Sequence, residues 1–439
     1  MNKLPEKPPE GWNKITFRAI EKSHQDPAFG KLVTEYNSRY LAWDDLTYRI
    51  PDPEQRMIAW SVMKMLRAMR YEVVPFPSLN LKYSTTPEIS RSLHIFDQYL
   101  SGTIRVHNKT IRLEQSYIIN SLMEESIASS ILEGAVTAHR VAKDMLRKGR
   151  EPRDTSEQMV INNYQAMRFI RAKKDTPLTP EFILALHRTV TENTLDDAAV
   201  GRFRDNNEIV VADPVTGVVH HTPPEYTEVP GLIDALCRFA NAADDDDTGT
   251  FIHPIVRGII LHFLIGYIHP FEDGNGRTAR SIFYWYVLSQ GYWLFEYMPI
   301  SRIILRSKKD YALAYLHTEY DEMDLTYFIQ YQIRCIEEAR KDLLAYIEKK
   351  QSEQNATKAM IKTVQNISQR QADILRQMME HSDQYFTIRE ISETHSVVYQ
   401  TARTDLLDLT GKGYIRKEKR GREFMFIFNE ECDLGNETQ

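Results

Sequence analysis

From Ile252 to Ile268 the chain is rich in Ile, Leu and Phe with few polar interruptions. A segment of that kind has no polar face to turn to water, so it demands a helix at the centre of a domain with other elements packed around it. Pro270 stops that helix, and a run containing Gly274, Asn275 and Gly276 follows, where positive φ and close backbone approach cost little. Thr278 to Gln290 is again helical by pattern, with Gly291 placed as its stop. Two buried helices are thus joined by a glycine-rich loop that ends at a helix N-terminus. Successive backbone N–H groups there can form an anion nest, and the helix dipole favours a phosphate.

The side chains of this run, His269-Pro-Phe-Glu-Asp-Gly-Asn-Gly-Arg-Thr-Ala-Arg280, suit one kind of chemistry. Arg277 and Arg280 are three apart and can present guanidinium forks to phosphate oxygens. Asp273 is a hard oxygen ligand suited to a divalent cation that bridges phosphates, and His269 can accept a proton near neutral pH. Base, cation ligand, anion nest and paired arginines together describe transfer of a phosphate-containing group to a hydroxyl. The run has neither the spacing of a P-loop nor that of a dinucleotide-binding fingerprint.

It resembles the signature of the Fic family, HPF-x-[D/E]-G-N-G-R-x-x-R, at every specified position. The resemblance covers roughly Leu113 to Phe328 and implies transfer of AMP from ATP to a Ser, Thr or Tyr hydroxyl of a target protein, with pyrophosphate leaving. It implies His269 as general base, Asp273 as the Mg²⁺ ligand, and Gly274, Asn275, Gly276 and Thr278 around the phosphates. Arg277 would neutralise phosphate charge, Arg280 would grip the γ-phosphate, and Phe271 would anchor the loop in the core. Gly201, Arg202 and Phe203 would lie near the nucleotide, and Tyr311 would line the adenine or ribose pocket.

Upstream, Leu113 to Leu132 is helix-compatible and amphipathic by pattern and ends at Glu133-Gly134. The residues Ser129 to Gly134, SSILEG, resemble the family's inhibitory motif, in which Glu133 pairs with Arg280 and takes the place needed by the γ-phosphate. The stretch Ile209 to Val211, a turn at Asp213 to Gly217, and Val218 to His220 read as a hairpin. In the family this place is a flap, so the hairpin at 207–222 is the expected seat of the target protein. His220 and His221 are not read as a metal site, because no further ligands fall at suitable spacing.

The whole chain has 439 residues and a formal charge of −6, an ordinary balance that demands neither nucleic acid nor an anionic membrane. Cys237, Cys335 and Cys432 are far apart, which suggests neither a disulfide framework nor a zinc site. The polar, proline-rich start and the short apolar runs point to a cytoplasmic protein with no membrane span.

The expected fold class is mainly α, a Fic-type helical core with a small β-hairpin flap and a C-terminal winged-helix module. Residues 1–112 are read as an N-terminal helical domain whose first 40 residues are irregular, with helices over Pro53–Tyr71 and Pro87–Leu100. The catalytic domain is set at 113–345 with its inhibitory helix at 113–134, followed by a connector at 346–369 and the winged helix at 370–439. Within it, helices around Ala372–Met378, Thr387–Thr394 and Tyr399–Thr410 precede a two-stranded wing turning at Gly421. Arg416, Lys417, Lys419, Arg420 and Arg422 concentrate in that wing, and a DNA or protein partner is equally open there, as is a homodimer. Two further readings are removal of AMP at the same site and a nucleotide-sensing, DNA-binding regulator.

Overall fold

A computed structural model describes residues 4–101, 105–106, 109–110, 115–213, 216–242, 251–363, 367–380, 382, 384–395, 397–420, 423–429 and 431–432. The expected start of the inhibitory helix at 113–114, the acidic run Asp244–Asp247, and the wing's Gly421 and Arg422 lie outside the described residues. The chain divides into two compact units, Met1–Lys341 and Asp342–Gln439.

The first unit opens with a 3-10 turn at Trp12–Ile15 and helices α1 (Thr16–Gln25), α2 (Pro27–Ser38), α3 (Trp43–Thr47) and α4 (Pro53–Ala68). This corrects the irregular lead-in. Pro27 does not break a helix here; it occupies the first turn of α2, with Asp26 as N-cap accepting from Ala28 N and Phe29 N. Trp12, Ala19, Phe29, Val33 and Tyr36 then pack with Trp60 and Met63 of α4. The pair β1 (Glu72–Val73) and β2 (Lys82–Tyr83) is followed by α5 (Pro87–Leu100), capped by Thr86, and by β3 (Arg105–Val106) with β4 (Lys109–Thr110).

The rest of the unit holds α6 (Gln115–Leu132), α7 (His139–Lys148), α8 (Thr155–Ala172), α9 (Pro180–Thr191), the strands β5 (Val211–Ala212) and β6 (Val219–His221), then α10 (Val229–Asn241), α11 (Pro254–Ile268) and α12 (Asn275–Ser289). It closes with α13 (Ile300–Arg306), α14 (Lys308–Tyr320) and the first part of α15 (Thr326–Thr363). Caps explain the boundaries: Asp154 begins α8, and Thr179 with Pro180 begins α9. As its composition requires, α11 is enclosed, with Ile255, Ile259, Leu261, Phe263 and Leu264 all fully buried. The helix α6 is not amphipathic as expected. Glu125, Ser126, Ser129 and Ser130 are buried alongside its apolar residues. A buried network of Lys64 with Asp321 at 2.6 Å, Arg67 with Tyr327 at 2.7 Å and Tyr40 with Asp324 at 2.6 Å ties the N-terminal helices to the α14–α15 junction.

The expected connector is also helical, since α15 runs on to Thr363. Its Gln, Glu and Lys are polar but, like its Ala, strong helix formers. The second unit contains α16 (Gln369–Glu380), β7 (Phe386–Thr387), α17 (Ile388–Thr394), α18 (Tyr399–Gly411), β8 (Ile415–Arg420) and β9 (Glu423–Phe428), with strand order β7-β9-β8. Its own core gathers Ile374, Leu375, Met378, Ile391, Leu406, Leu409 and Phe426. Among the described residues no helix is long and apolar enough to cross a membrane.

Candidate active site

The loop after α11 begins with backbone strain at His269. His269 caps α11 in the left-handed region, at φ 48° and ψ 58°, a conformation that costs a non-glycine residue roughly 1–2 kcal/mol. Arg204 holds it there. Its backbone N donates to Pro270 O at 2.9 Å and its Nε to His269 O at 3.0 Å, while the other guanidinium nitrogens reach Asn206 O, Asn207 Oδ1 and Pro224 O. Nothing local to Arg204 in the sequence says that its partner His269 lies 65 residues away.

His269 Nδ1 sits 3.2 Å from Gly266 O, an acceptor. The proton of the neutral ring therefore belongs on Nδ1, which leaves the Nε2 lone pair as the basic site. Burial pushes this imidazole down to about 4, so it is neutral at physiological pH. Burial likewise lowers His187 to about 4 and His262 to about 3. An unfolded chain takes up protons on these rings near pH 6.5, whereas the native state does so only near the depressed values. Stability is thus expected to fall as pH drops from 6.5 towards 4, and thermal unfolding across that range checks it.

Asn275 closes the loop on itself: its Nδ2 donates to Phe271 O at 2.8 Å and its Oδ1 accepts from Phe271 N at 3.0 Å. Both polar atoms of this side chain thus bond the loop backbone. Asn275→Ala is expected to cost about 1–3 kcal/mol by orphaning buried backbone groups, read as a lower unfolding midpoint together with lost activity. Phe271 is fully buried and stacks on His187 at 3.7 Å with the rings 4° apart. The same His187 receives Gly201 N on Nδ1 at 3.0 Å and bonds Asp273 O through Nε2 at 2.9 Å. It is thus a positioning residue between the motif loop and the Gly201 turn, a role beyond the core or capping place its helix position suggests.

The helix α12 starts at Asn275, three residues earlier than the pattern indicates. Gly274 alone of the Gly-Asn-Gly run has positive φ, at 82°, and a Cβ there would meet Thr191 at 2.9 Å. Gly276 serves a different end. A Cβ on it would lie 2.9 Å from Glu133 Cδ, because the Glu133 carboxylate rests directly over this first turn.

That carboxylate is the end of a polar zipper between α6 and α12. Residues 125 and 129 of α6 and Glu133 just past its end recur every four, as do 276, 280 and 284 along α12, so one stripe faces the other. Glu133 Oε1 accepts from Arg280 Nη2 at 2.8 Å; Ser129 Oγ accepts from Arg280 Nε at 2.9 Å and Ser129 O from Nη2 at 3.1 Å. Glu125 Oε2 lies 2.9 Å from the Tyr284 hydroxyl and accepts from Ser301 N at 2.9 Å. Burial raises Glu133 towards the neutral form, but the charge and hydrogen bond of Arg280 outweigh it and hold the carboxyl below its usual range. Glu125 is raised by burial despite its donors. Lys308 Nζ donates to Leu132 O at 2.9 Å, a cation on the last turn of α6 beside Glu133.

Arg277 is buried, with Nη1 on Val190 O at 2.7 Å and Nη2 on Asp273 Oδ2 at 2.5 Å. The Asp273 side chain remains 52% exposed at the loop mouth. No group of three or more His, Cys, Asp or Glu that could hold a metal occurs among the described residues. One accessible carboxylate beside an anion cradle fits Mg²⁺ that arrives with phosphates and keeps its waters. Thr278 is buried with its hydroxyl unpartnered. Tyr311 bonds His262 Nε2 at 2.8 Å within an aromatic group including Tyr315, Phe328 and Tyr331. Arg202 is exposed, and Phe203 packs 5.5 Å from Phe271. The hairpin pairs β5 with β6, and His221 fixes it through Glu319 at 2.8 Å and Tyr267 O at 2.7 Å.

Residues 177–287, which hold His187, the hairpin and the whole motif, match the Fic/DOC family. The chain carries a Fic domain. It is similar to the protein adenylyltransferase fic-1 of Caenorhabditis elegans, with 27% identity over 240 residues, 52% of this chain and 44% of the relative. It is also similar to the protein adenylyltransferase Fic of Nematostella vectensis, with 24% identity over 228 residues, 51% of this chain and 48% of the relative. The chain thus spans about half the length of these relatives. A Fic family protein from Desulfovibrio desulfuricans aligns with TM-score 0.52 at 17% identity, over 80% of this chain and 98% of that one. A Fic-1 fragment from C. elegans aligns with TM-score 0.50 at 17% identity, over 79% and 100%. These structures share the helical fold of the Fic core.

Proposed function

We propose that this Fic domain transfers AMP from ATP to a Ser, Thr or Tyr hydroxyl of a target protein and that Glu133 restrains it. The observation that carries this reading is the Glu133 carboxylate seated over Gly276 and bonded to Arg280 at 2.8 Å. An anion already occupies the cradle at the start of α12, close to a neutral imidazole whose Nε2 is available. The adenylyltransferase names of the relatives point to the same chemistry.

In this mechanism the target hydroxyl attacks the α-phosphorus, its proton passes to His269 Nε2, and the bond to the bridging oxygen breaks to release pyrophosphate. Incoming phosphate charge raises the basicity of an imidazole that burial has lowered. The α12 N-terminus and Arg277 offset phosphate charge, and Arg280 takes the γ-phosphate once Glu133 leaves it. Asp273 would hold Mg²⁺, which supplies charge neutralisation between the phosphates. The hairpin held by His221 would align the target segment by strand addition. Cys237 and Cys335 are free and buried, which suits a reducing cytoplasm.

Peptide mass spectrometry of a proteome treated with ATP and the Glu133→Gly variant tests the reaction class. Ser, Thr or Tyr residues carrying one adenylyl group are expected. Residues carrying a single phosphate would refute AMP transfer.

A further inference from the structure

The second unit has a surface that the catalytic reading leaves unused. Ten basic against nine acidic residues over Ile367–Phe428 give it little net charge, but the structure sorts those charges. On α18 the inner side, Ala402, Leu406 and Leu409, is fully buried. Both carboxylates of the helix are spent internally. Asp405 takes Arg370 at 2.6 and 3.2 Å, and Asp408 takes Lys412 at 2.5 Å and Gln371 at 2.8 Å. Glu390 is likewise used in the Thr387 capping box, and Glu393 pairs with Arg389.

What remains outward on α18 is Tyr399, 55% exposed, with Gln400, Arg403 and Thr404; the one acid on this side, Asp408, has its side chain 42% exposed and its charge offset by Lys412. The strand β8 lies at the edge of the β7-β9-β8 sheet and exposes Arg416, Lys417 and Lys419 together with one acid, Glu418. Arg403, Arg416 and Lys419 have no carboxylate partner among the described residues.

We propose that this unit binds double-stranded DNA, with α18 entering the major groove and β8 lying along the phosphates. A helix about 10–12 Å across fits a major groove about 12 Å wide. Arg and Gln on its outer face carry the donor and acceptor pairs that read guanine and adenine edges. The cations on β8 supply the sequence-independent attraction to phosphate. The aromatic, Gln, Thr and Arg of the α18 face, with Asp408 offset by Lys412, and the three exposed cations of β8 against one Glu418 complement an anionic polymer better than a general protein surface, which favours DNA between the two partners left open by composition.

The test is fluorescence anisotropy of a labelled 20-base-pair duplex of mixed sequence with the full chain at several salt concentrations. Binding with a Kd of about 1–100 µM is expected, weakening linearly in log–log form with salt. Arg403→Ala should weaken it by about fivefold or more, and the Arg416→Ala, Lys419→Ala pair should reduce the salt slope by about 2. His269→Ala should bind as wild type does, which separates this outcome from that of the catalytic reading. Absence of salt-dependent duplex binding would overturn the proposal, as would equal binding by wild type and the α18 and β8 variants. Loss of a protein partner on Arg403→Ala without any duplex binding would assign the surface to protein instead. Circular dichroism of each variant guards against unfolding.

Discussion

Glu133→Gly is expected to raise the rate of AMP transfer by about 10- to 100-fold at limiting ATP. On the proposed mechanism the γ-phosphate displaces a carboxylate from Arg280 in the wild type, and a hydrogen bond to a charged group is worth about 1.5–3 kcal/mol, which converts to that range. The substitution removes this competitor and opens the space above Gly276, while Ser129 keeps two bonds to Arg280, at 2.9 and 3.1 Å. Glu125 and its Ser301 and Tyr284 partners continue to pin α6. The gain should appear as tighter ATP binding by calorimetry and faster labelling of target, with the fold intact. A wild-type rate and wild-type ATP affinity in the variant would show that the Glu133–Arg280 contact is structural only.

His269→Ala is expected to lower transfer by roughly 10²–10⁴-fold with ATP binding retained. The imidazole is the one basic group placed at the loop with a free Nε2, and Arg204 and Gly266 fix its ring and backbone. Alanine removes the proton acceptor without disturbing Asn275 or Arg280, which hold the loop and the phosphate site through other atoms. A single-turnover measurement separates the two effects. Undiminished transfer by His269→Ala would place the base elsewhere.

Local chemistry made much of this legible in the sequence. Thr179-Pro180, Asp154 and Thr86 announce helix starts because a cap needs only its neighbours. The apolar run ending at Ile268 could only be a central helix, and the twelve residues after it named the family. Long-range partners were less accessible. Arg204 reaches His269 and Pro224, and His187 joins Gly201 to Asp273, through contacts no local pattern encodes. Glu125 lies four before Ser129 and eight before Glu133, a spacing that puts the three on one stripe of α6. Because these polar residues are buried with the apolar ones, α6 is not amphipathic. Pro5, Pro8 and Pro9 lie in irregular chain ahead of Trp12, whereas Asp26-Pro27 is a helix start, so the irregular lead-in is far shorter than 40 residues.

The measurement that tests the central claim most directly is label transfer to protein from ATP carrying ³²P at the α position and, separately, at the γ position, with Mg²⁺. Wild type, Glu133→Gly and His269→Ala are compared. Label from the α position only, strongest with Glu133→Gly and lost with His269→Ala, is the predicted result. Label from the γ position, or none from either nucleotide in any variant, would contradict AMP transfer by this Fic domain.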